Sequence, residues 1–255
     1  MVRGLYTGWT GMQNEQKRLD VIANNIANAS TTGYKQEGVT SQSFDDMLAI
    51  KVRDTSARTD EIIGKVSLGV KIGEVYTNHT QGSLRPTGNT YDLALDGSGF
   101  FTVRVTDRNG ADHIRYTRAG NFTMTKDGYI TDADGNHLQG EAGDLQVPTD
   151  ATVVFDADGA VYADGERIDT VAIADFEDYA YLKKYADTMY EPVQGAVQKE
   201  AEAALRQHYL EQSNVNVVQE MTQMIAITRA YEANQKVIQA MDSTLEQSVN
   251  NIGRV

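Results

Sequence analysis

His79, His113, His137 and His208 are the four imidazoles of the 255-residue chain, and their spacing limits what they can do. No two stand four residues apart, so one helix turn cannot offer a pair to a metal ion, and the HExxH pattern of zinc hydrolases is absent. They read as surface or turn histidines. Asp96-Gly97-Ser98-Gly99-Phe100 resembles a fragment of a nucleophile elbow, where a strained turn raises a serine toward an acyl group. It lacks the glycine two positions before Ser98, no strand-to-helix pattern surrounds it, and Thr102 breaks the GxGxxG spacing, so a tight turn is expected. Asp132-Ala133-Asp134-Gly135-Asn136 and Asp156-Ala157-Asp158-Gly159 suggest calcium loops. Neither has the glycine at position six and glutamate at twelve that such a loop needs, and solvated turns are expected instead. The chain has no cysteine, which removes disulfides, thiolate catalysis and thiolate metal sites together. Acid, base and nucleophile converge nowhere. The expectation is a protein with no catalytic residue, no metal site and no cofactor, not an enzyme.

The elements that would position any site have their own pattern. Hydrophobic residues make up 40% and charged residues 23%, an ordinary globular balance. A net charge of −13 argues against nucleic acid and anionic membranes as partners. No run reaches the ~18 apolar residues of a membrane span, so direct membrane insertion is not expected. The start of the chain lacks the continuous apolar stretch of a cleavable signal, so export would need another route. Residues 1–36 carry four basic and two acidic groups, and residues 209–255 carry three basic and five acidic ones. The ends are therefore nearly neutral (+2 and −2), and the middle holds the whole −13. Neutral ends can pack in many copies, whereas the acidic middle favours water.

The first part reads as a helix from about Gly4 to Asn28. Leu5, Trp9, Met12, Gln16, Leu19, Ala23 and Ile26 follow at spacings of four and three, a heptad-like seam that Ile22 widens. The turn formers from Asn28 to Gly33 stop it. The last part mirrors it from about Asn214 to Ile252. Val217 begins that seam, and Met221, Met224, Thr228, Tyr231, Gln235, Ile238, Asp242, Leu245, Val249 and Ile252 continue it, with Ile225, Val237 and Met241 broadening it. All three prolines lie between the two helices. There, Asp-Gly or Asn-Gly pairs end at Gly97, Gly110, Gly128, Gly135, Gly159 and Gly165 and separate short β-prone runs such as Phe100 to Val105.

The fold class expected is α+β: long terminal helices forming a coiled-coil-like pair, with a central all-β domain. The division expected is a helical part at 1–36 and 213–255, an extended connector at 37–85 that wraps other elements, and a β-rich part at 86–212. Gln198 to Leu205 has helix propensity, yet extended structure is expected near 205–212. Two helices of unequal length leave part of the longer seam uncovered in one molecule, which marks an interaction surface. Polar groups at Gln16, Thr228, Gln235 and Asp242 would set register and partner number. An intramolecular helical hairpin within a monomeric binding module is the competing account.

Leu19 to Asn28 (LDVIANNIAN), followed by Thr31-Thr32-Gly33-Tyr34-Lys35, resembles the N-terminal signature of flagellar rod, hook and hook-associated proteins. Gly4-Leu5-Tyr6 and Gly11-Met12 precede it as in that family. Leu210 to Asn216 (LEQSNVN), Glu220-Met221, Met224-Ile225 and Arg229 to Asn234 (RAYEAN) resemble its C-terminal signature. Asp92 to Phe101 and Tyr116 to Phe122 resemble its β-domain motifs. One departure is Ala186, where the family usually has glycine, which argues against a left-handed turn there. The resemblance implies a homo-oligomeric helical polymer, exported by the flagellar apparatus, packed with other rod and hook proteins outside the cytoplasmic membrane. Length and the segment from Phe44 to Gly73 point to the distal-rod type, with a proximal-rod or hook-related subunit as the alternative. The assembly interface it implies is Leu5, Trp9, Met12, Leu19, Ile22, Asn24, Asn25, Ile26, Asn28, Asn214, Val215, Met221, Met224, Tyr231, Asn234, Ile238 and Leu245.

Overall fold

A computed structural model describes residues 2–44, 47–51, 61–66, 69–107 and 110–252, with backbone alone at 2–3, 47–51, 61–66 and 251–252. The polar run from Arg53 to Asp60 and Asn109 of the Asn109-Gly110 turn lie outside these residues. Compact contacts divide the chain into two units: residues 1–26, 37–77 and 217–255, and residues 27–36 and 78–216.

The first unit holds helix α1 (Val2–Ala27) and helix α2 (Val217–Ile252), the latter 36 residues and about 54 Å long. Neither contains proline, and α1 ends where Asn28 accepts from the Thr31 amide at 3.1 Å. Strands β1 (Glu37–Ser43) and β4 (Val70–Thr77) form an antiparallel ribbon from Glu37↔Thr77 to Ser43↔Val70, with one irregularity after Val39. Strands β2 (Met47–Lys51) and β3 (Glu61–Val66) pair likewise.

The second unit is β-rich and antiparallel. Strand β5 (Leu84–Pro86) pairs with β20 (Tyr209–Glu211), and β6 (Leu93–Gly97) pairs with β19 (Ala203–Gln207). The extended structure expected near 205–212 is therefore present, and only His208, at φ 68, interrupts it. Strands β7 (Phe100–Thr106) and β8 (Asp112–Thr117) centre a nine-stranded sheet. Strands β9 (Thr123–Met124), β10 (Ile130–Thr131) and β11 (His137–Leu138) extend it on one side of β7. Strands β12 (Val153–Phe155), β13 (Ala160–Ala163) and β14 (Glu166–Thr170) make a separate three-stranded sheet. Strand β15 (Ile173–Phe176) pairs with β7 and with β18 (Gln198–Glu200). Strands β16 (Leu182–Lys184) and β17 (Met189–Pro192) complete the large sheet beside β8.

Because successive strand residues point to opposite faces, Phe100 and Phe101 serve two cores. Phe101 and Val103, fully buried, join Leu93, Leu95 and Phe122, with the Phe101 and Phe122 rings edge to face at 5.4 Å. Phe100 turns the other way, to Phe176 and Tyr190. The Asp-Gly and Asn-Gly glycines meet expectation: Gly97, Gly110, Gly128, Gly135, Gly159 and Gly165 all have φ between 78° and 122°. Ala186 is absent from the left-handed region, as the departure from glycine suggested, and the β16–β17 turn closes by Tyr185 and Ala186 amides donating to Met189.

Candidate assembly interface

The helices of the first unit meet on small and polar residues. In antiparallel sense, Gly4 faces Met241, Gly8 faces Ile238 and Gly11 faces Asn234. A Cβ on Gly8 would stand 3.1 Å from Ile238 Cγ1, and one on Gly11 would stand 3.0 Å from Asn234 Nδ2. Further along, Asn25 is 1% exposed and hydrogen-bonds to both Glu37 and Glu220. Its Oδ1 accepts from the Glu37 amide at 3.0 Å, and its Nδ2 donates to Glu37 O at 2.8 Å and to Glu220 Oε2 at 3.3 Å. Asn24 Nδ2 reaches Glu37 Oε2 at 3.3 Å, and Ser41 donates to Asn14 Oδ1 at 3.0 Å, so one face of α1 carries the β1–β4 ribbon.

This arrangement moves the seams. On α2 the shielded positions are Val217, Glu220, Met224, Ile227, Tyr231, Asn234, Ile238, Met241, Leu245 and Ser248, a regular three–four alternation. Half of the expected series coincides with it: Met224, Tyr231, Ile238 and Leu245 are partly buried. The other half is displaced by one residue, leaving Met221, Thr228, Gln235, Asp242 and Val249 exposed. On α1, Ile22 is buried and Leu5, Met12, Leu19 and Ile26 are half-buried, but Trp9, Gln16 and Ala23 face solvent. The displacement has a physical cause. The inward phase is chosen by glycines that permit close approach and by hydrogen-bonded polar groups, neither of which an apolar count detects. The consequence is an apolar stripe turned outward: Trp9 is 45% exposed beside Tyr6, their rings 6.0 Å apart, and Val218, Met221 and Ile225 are at least half exposed on α2.

The remaining expected residues lie where the chain enters and leaves the second unit. Asn28 Oδ1 accepts from Thr31 Oγ1 at 3.1 Å, and the half-buried Val215 donates its amide to Ser213 Oγ at 3.3 Å. Asn214 Oδ1 accepts from the Gln36 amide, and its Nδ2 donates to Asn78 O, both at 2.8 Å. Asn25 and Asn214 are thus bonded within one molecule.

Beside Asn214 lies a buried ionic knot whose members stand out in the sequence only as parts of longer motifs. Glu211 is fully buried, with Oε1 accepting from Lys35 Nζ at 2.6 Å and from the Gly82 amide at 2.8 Å. Its Oε2 accepts from Arg118 Nη1 at 3.2 Å. Lys35 also donates to Thr80 O at 2.8 Å, and Arg118 Nη2 donates to Gly97 O at 2.6 Å. Burial pushes the Lys35 ammonium below its usual range, with the Glu211 carboxylate opposing that shift. His79, expected at the surface or in a turn, lies half-buried in the loop after β4 among Phe100, Tyr179 and Tyr190, with ring centroids 5.0–5.7 Å away. Burial, then Lys35 and Arg118, lowers its pKa to about 4. No sequence periodicity joins these groups, because each stands at a strand end or in a loop.

Gly33 locks the knot sterically. Its φ is +69°, its amide donates to Glu211 O at 2.9 Å, and a Cβ there would strike the backbone of Arg118 and Ala119. Gly33→Ala should therefore cost about 2–4 kcal/mol in urea unfolding, from the left-handed conformation and the overlap together. Gly135→Asn, at φ +85° with open space around it, should stay within about 0.5 kcal/mol.

Other turns are occupied by their own backbone. Asp132 Oδ1 accepts from the amides of Asp134 and Asn136, both at 2.9 Å, which makes the Asp132–Asn136 stretch an Asx-type turn. Gly97 and Gly99, at φ 122° and 139°, make Asp96 to Phe100 the tight turn between β6 and β7.

Three family models match the chain in order. That of the flagella basal body rod protein covers residues 5–35, that of the flagellar hook protein FlgE/F/G D1 domain covers 94–163, and that of the flagellar basal body rod FlgEFG protein C-terminal covers 206–252. The chain is 35% identical to the flagellar basal-body rod protein FlgG of Bacillus subtilis, over 98% of its own length and 99% of that protein's. It is 34% identical to FlgG of Agrobacterium fabrum, over 94% and 96% of the two lengths. It is also 34% identical to the flagellar basal-body rod protein FlgF of Caulobacter vibrioides, over 100% and 98%.

Proposed function

The chain belongs to the flagellar basal-body rod protein family, and from that premise we propose that its copies build a helical tube through the outward stripes of α1 and α2. It is a structural subunit of the rod, of the distal-rod (FlgG) type, located in the flagellar basal body among other rod and hook proteins, and not an enzyme. Among the described residues no helix is long and apolar enough to cross a membrane.

In the proposed tube the two helices form a coiled-coil-like pair near the axis, the acidic β-rich unit faces outward, and the tube carries torque to the hook. Delivery by the flagellar export apparatus to a place outside the cytoplasmic membrane belongs to the same proposal. The observation that carries it is the outward stripe: Trp9, Val218, Met221 and Ile225 remain uncovered in one molecule although the helices already have partners. The uncovered part of Trp9 alone, on the order of 100 Å², is worth about 2–3 kcal/mol when a neighbour covers it. Nearly neutral arms let that packing occur without charge repulsion.

Ile225, 56% exposed, gives the test. Ile225→Asp removes apolar contact and places an unpaired carboxylate in the interface, so it should raise the concentration needed for polymerisation at least about 100-fold, or abolish tubes. Sedimentation and electron microscopy read the effect, and an unchanged β-sheet circular dichroism signal shows that the second unit is intact. Normal tubes from Ile225→Asp would sink the proposed packing. A protein that stays monomeric at every concentration in the unsubstituted form would favour a self-contained binding module.

A further inference from the structure

The knot of Lys35, Arg118 and Glu211 gathers groups from three separated stretches into the second unit. Lys35 belongs to the segment leaving α1, and Glu211 belongs to the segment that leads into α2. The hydrogen bonds around them join these two segments: Gly33 N to Glu211 O at 2.9 Å, Gln36 N to Asn214 Oδ1 at 2.8 Å and Gln212 N to Ser83 O at 2.9 Å. The knot holds two cations and one carboxylate, so it already carries one uncompensated positive charge.

His79 stands beside this knot. Lys35 faces it from the segment after α1, Arg118 from the segment after β8, Tyr190 from β17, Phe100 from β7 and Tyr179 from the turn Tyr179–Tyr181. Among the described residues Glu211 of β20 is the carboxylate bonded to both cations, and Asp175 is occupied by Tyr179 at 2.7 Å and Lys199 at 3.0 Å. The Nδ1 atom of His79 is buried without a hydrogen-bond partner among the described residues. A proton on this ring would add a third cation and gain no counter-charge.

We propose that His79 makes the junction of the two segments acid-releasable: protonation expels the ring, opens the Lys35–Glu211–Arg118 knot and frees the chain on both sides of it. The sign follows from linkage. His79 is held neutral in the fold, with its pKa near 4 against 6.5 when free, so stability is complete above pH 6.5 and falls as pH drops toward 4. For one proton the opening equilibrium rises about 20-fold between pH 7 and pH 5. Most carboxylates do not titrate in that window.

Hydrogen exchange of the full-length dilute subunit reads the junction through the amides of Gly33, Gln36 and Gln212, corrected for intrinsic rates. Those three should lose about 20-fold protection from pH 7 to pH 5, while the amides of β7 keep theirs. In His79→Phe, which preserves the aromatic packing, the loss should be twofold or less. The same loss in both proteins, or no loss in the unsubstituted one, overturns the proposal. Should His79→Phe fail to fold, the imidazole resonance of His79 in the unsubstituted chain decides. A ring that stays neutral in the folded protein down to pH 5 supports the device, and titration near 6.5 without opening rejects it.

Discussion

Glu211→Leu is expected to destabilise the β-rich unit by about 3–5 kcal/mol, because it strands two cations whose shared carboxylate partner among the described residues is Glu211. Lys35 and Arg118 are 1% and 5% exposed at their side chains, so neither can turn to water without opening the fold around Thr80 and Gly97. Urea unfolding followed by near-ultraviolet circular dichroism measures the loss. The triple variant Lys35→Met, Arg118→Met, Glu211→Leu should recover much of it, because apolar groups of similar length replace all three charges and the lost acceptor of the Gly82 amide is the main remaining cost. A single substitution as mild as the triple would show that the knot is more hydrated than its burial implies.

Asn25→Ala is expected to cost the first unit about 2–4 kcal/mol. The substitution removes one partner each from the Glu37 amide, the Glu37 carbonyl and the Glu220 carboxylate at once, and each buried hydrogen bond lost costs about 0.5–1.5 kcal/mol, more where a charged group is involved. Glu220 is itself only 1% exposed, so water reaches it poorly. The change should appear in the helical signal at 222 nm during urea unfolding, and Asn24→Ala, at a half-buried position whose Nδ2 reaches Glu37 Oε2 at a long 3.3 Å, should cost less than Asn25→Ala. Equal costs for the two would show that Asn25 holds no special position.

These two residues also show what a sequence discloses. Helix existence was legible from seven-residue repeats and the absence of proline, and the β-rich middle from glycines that only a left-handed turn requires. The phase of the helix seam was not. Counting apolar residues selects Trp9 and Met221, whereas the fold turns inward the glycines at 4, 8 and 11 and the polar Asn25, Glu220 and Asn234. Close backbone approach and satisfied hydrogen bonds outweigh apolar area at those positions. The ionic knot was equally hidden, since Lys35 and Glu211 are 176 residues apart, the first in a loop and the second at the end of a three-residue strand. Its one local signal is that Lys35, Arg118 and Glu211 each fall inside a motif shared with rod and hook proteins, where a solvated charge has no evident use. The aromatic setting of His79 was hidden for a similar reason: its neighbours Phe100, Tyr179 and Tyr190 come from distant strands and turns.

Trp9, the single tryptophan of the chain, lies on the outward stripe and reports the central claim without any substitution. Its emission and its quenching by acrylamide should be compared in the dilute subunit and in sedimented tubes. Burial of the stripe by neighbouring copies predicts a red-shifted, readily quenched indole in the subunit and a blue-shifted, protected one in the tube. Tubes that form with Trp9 as accessible as in the dilute subunit would contradict the account and place the polymer contact elsewhere.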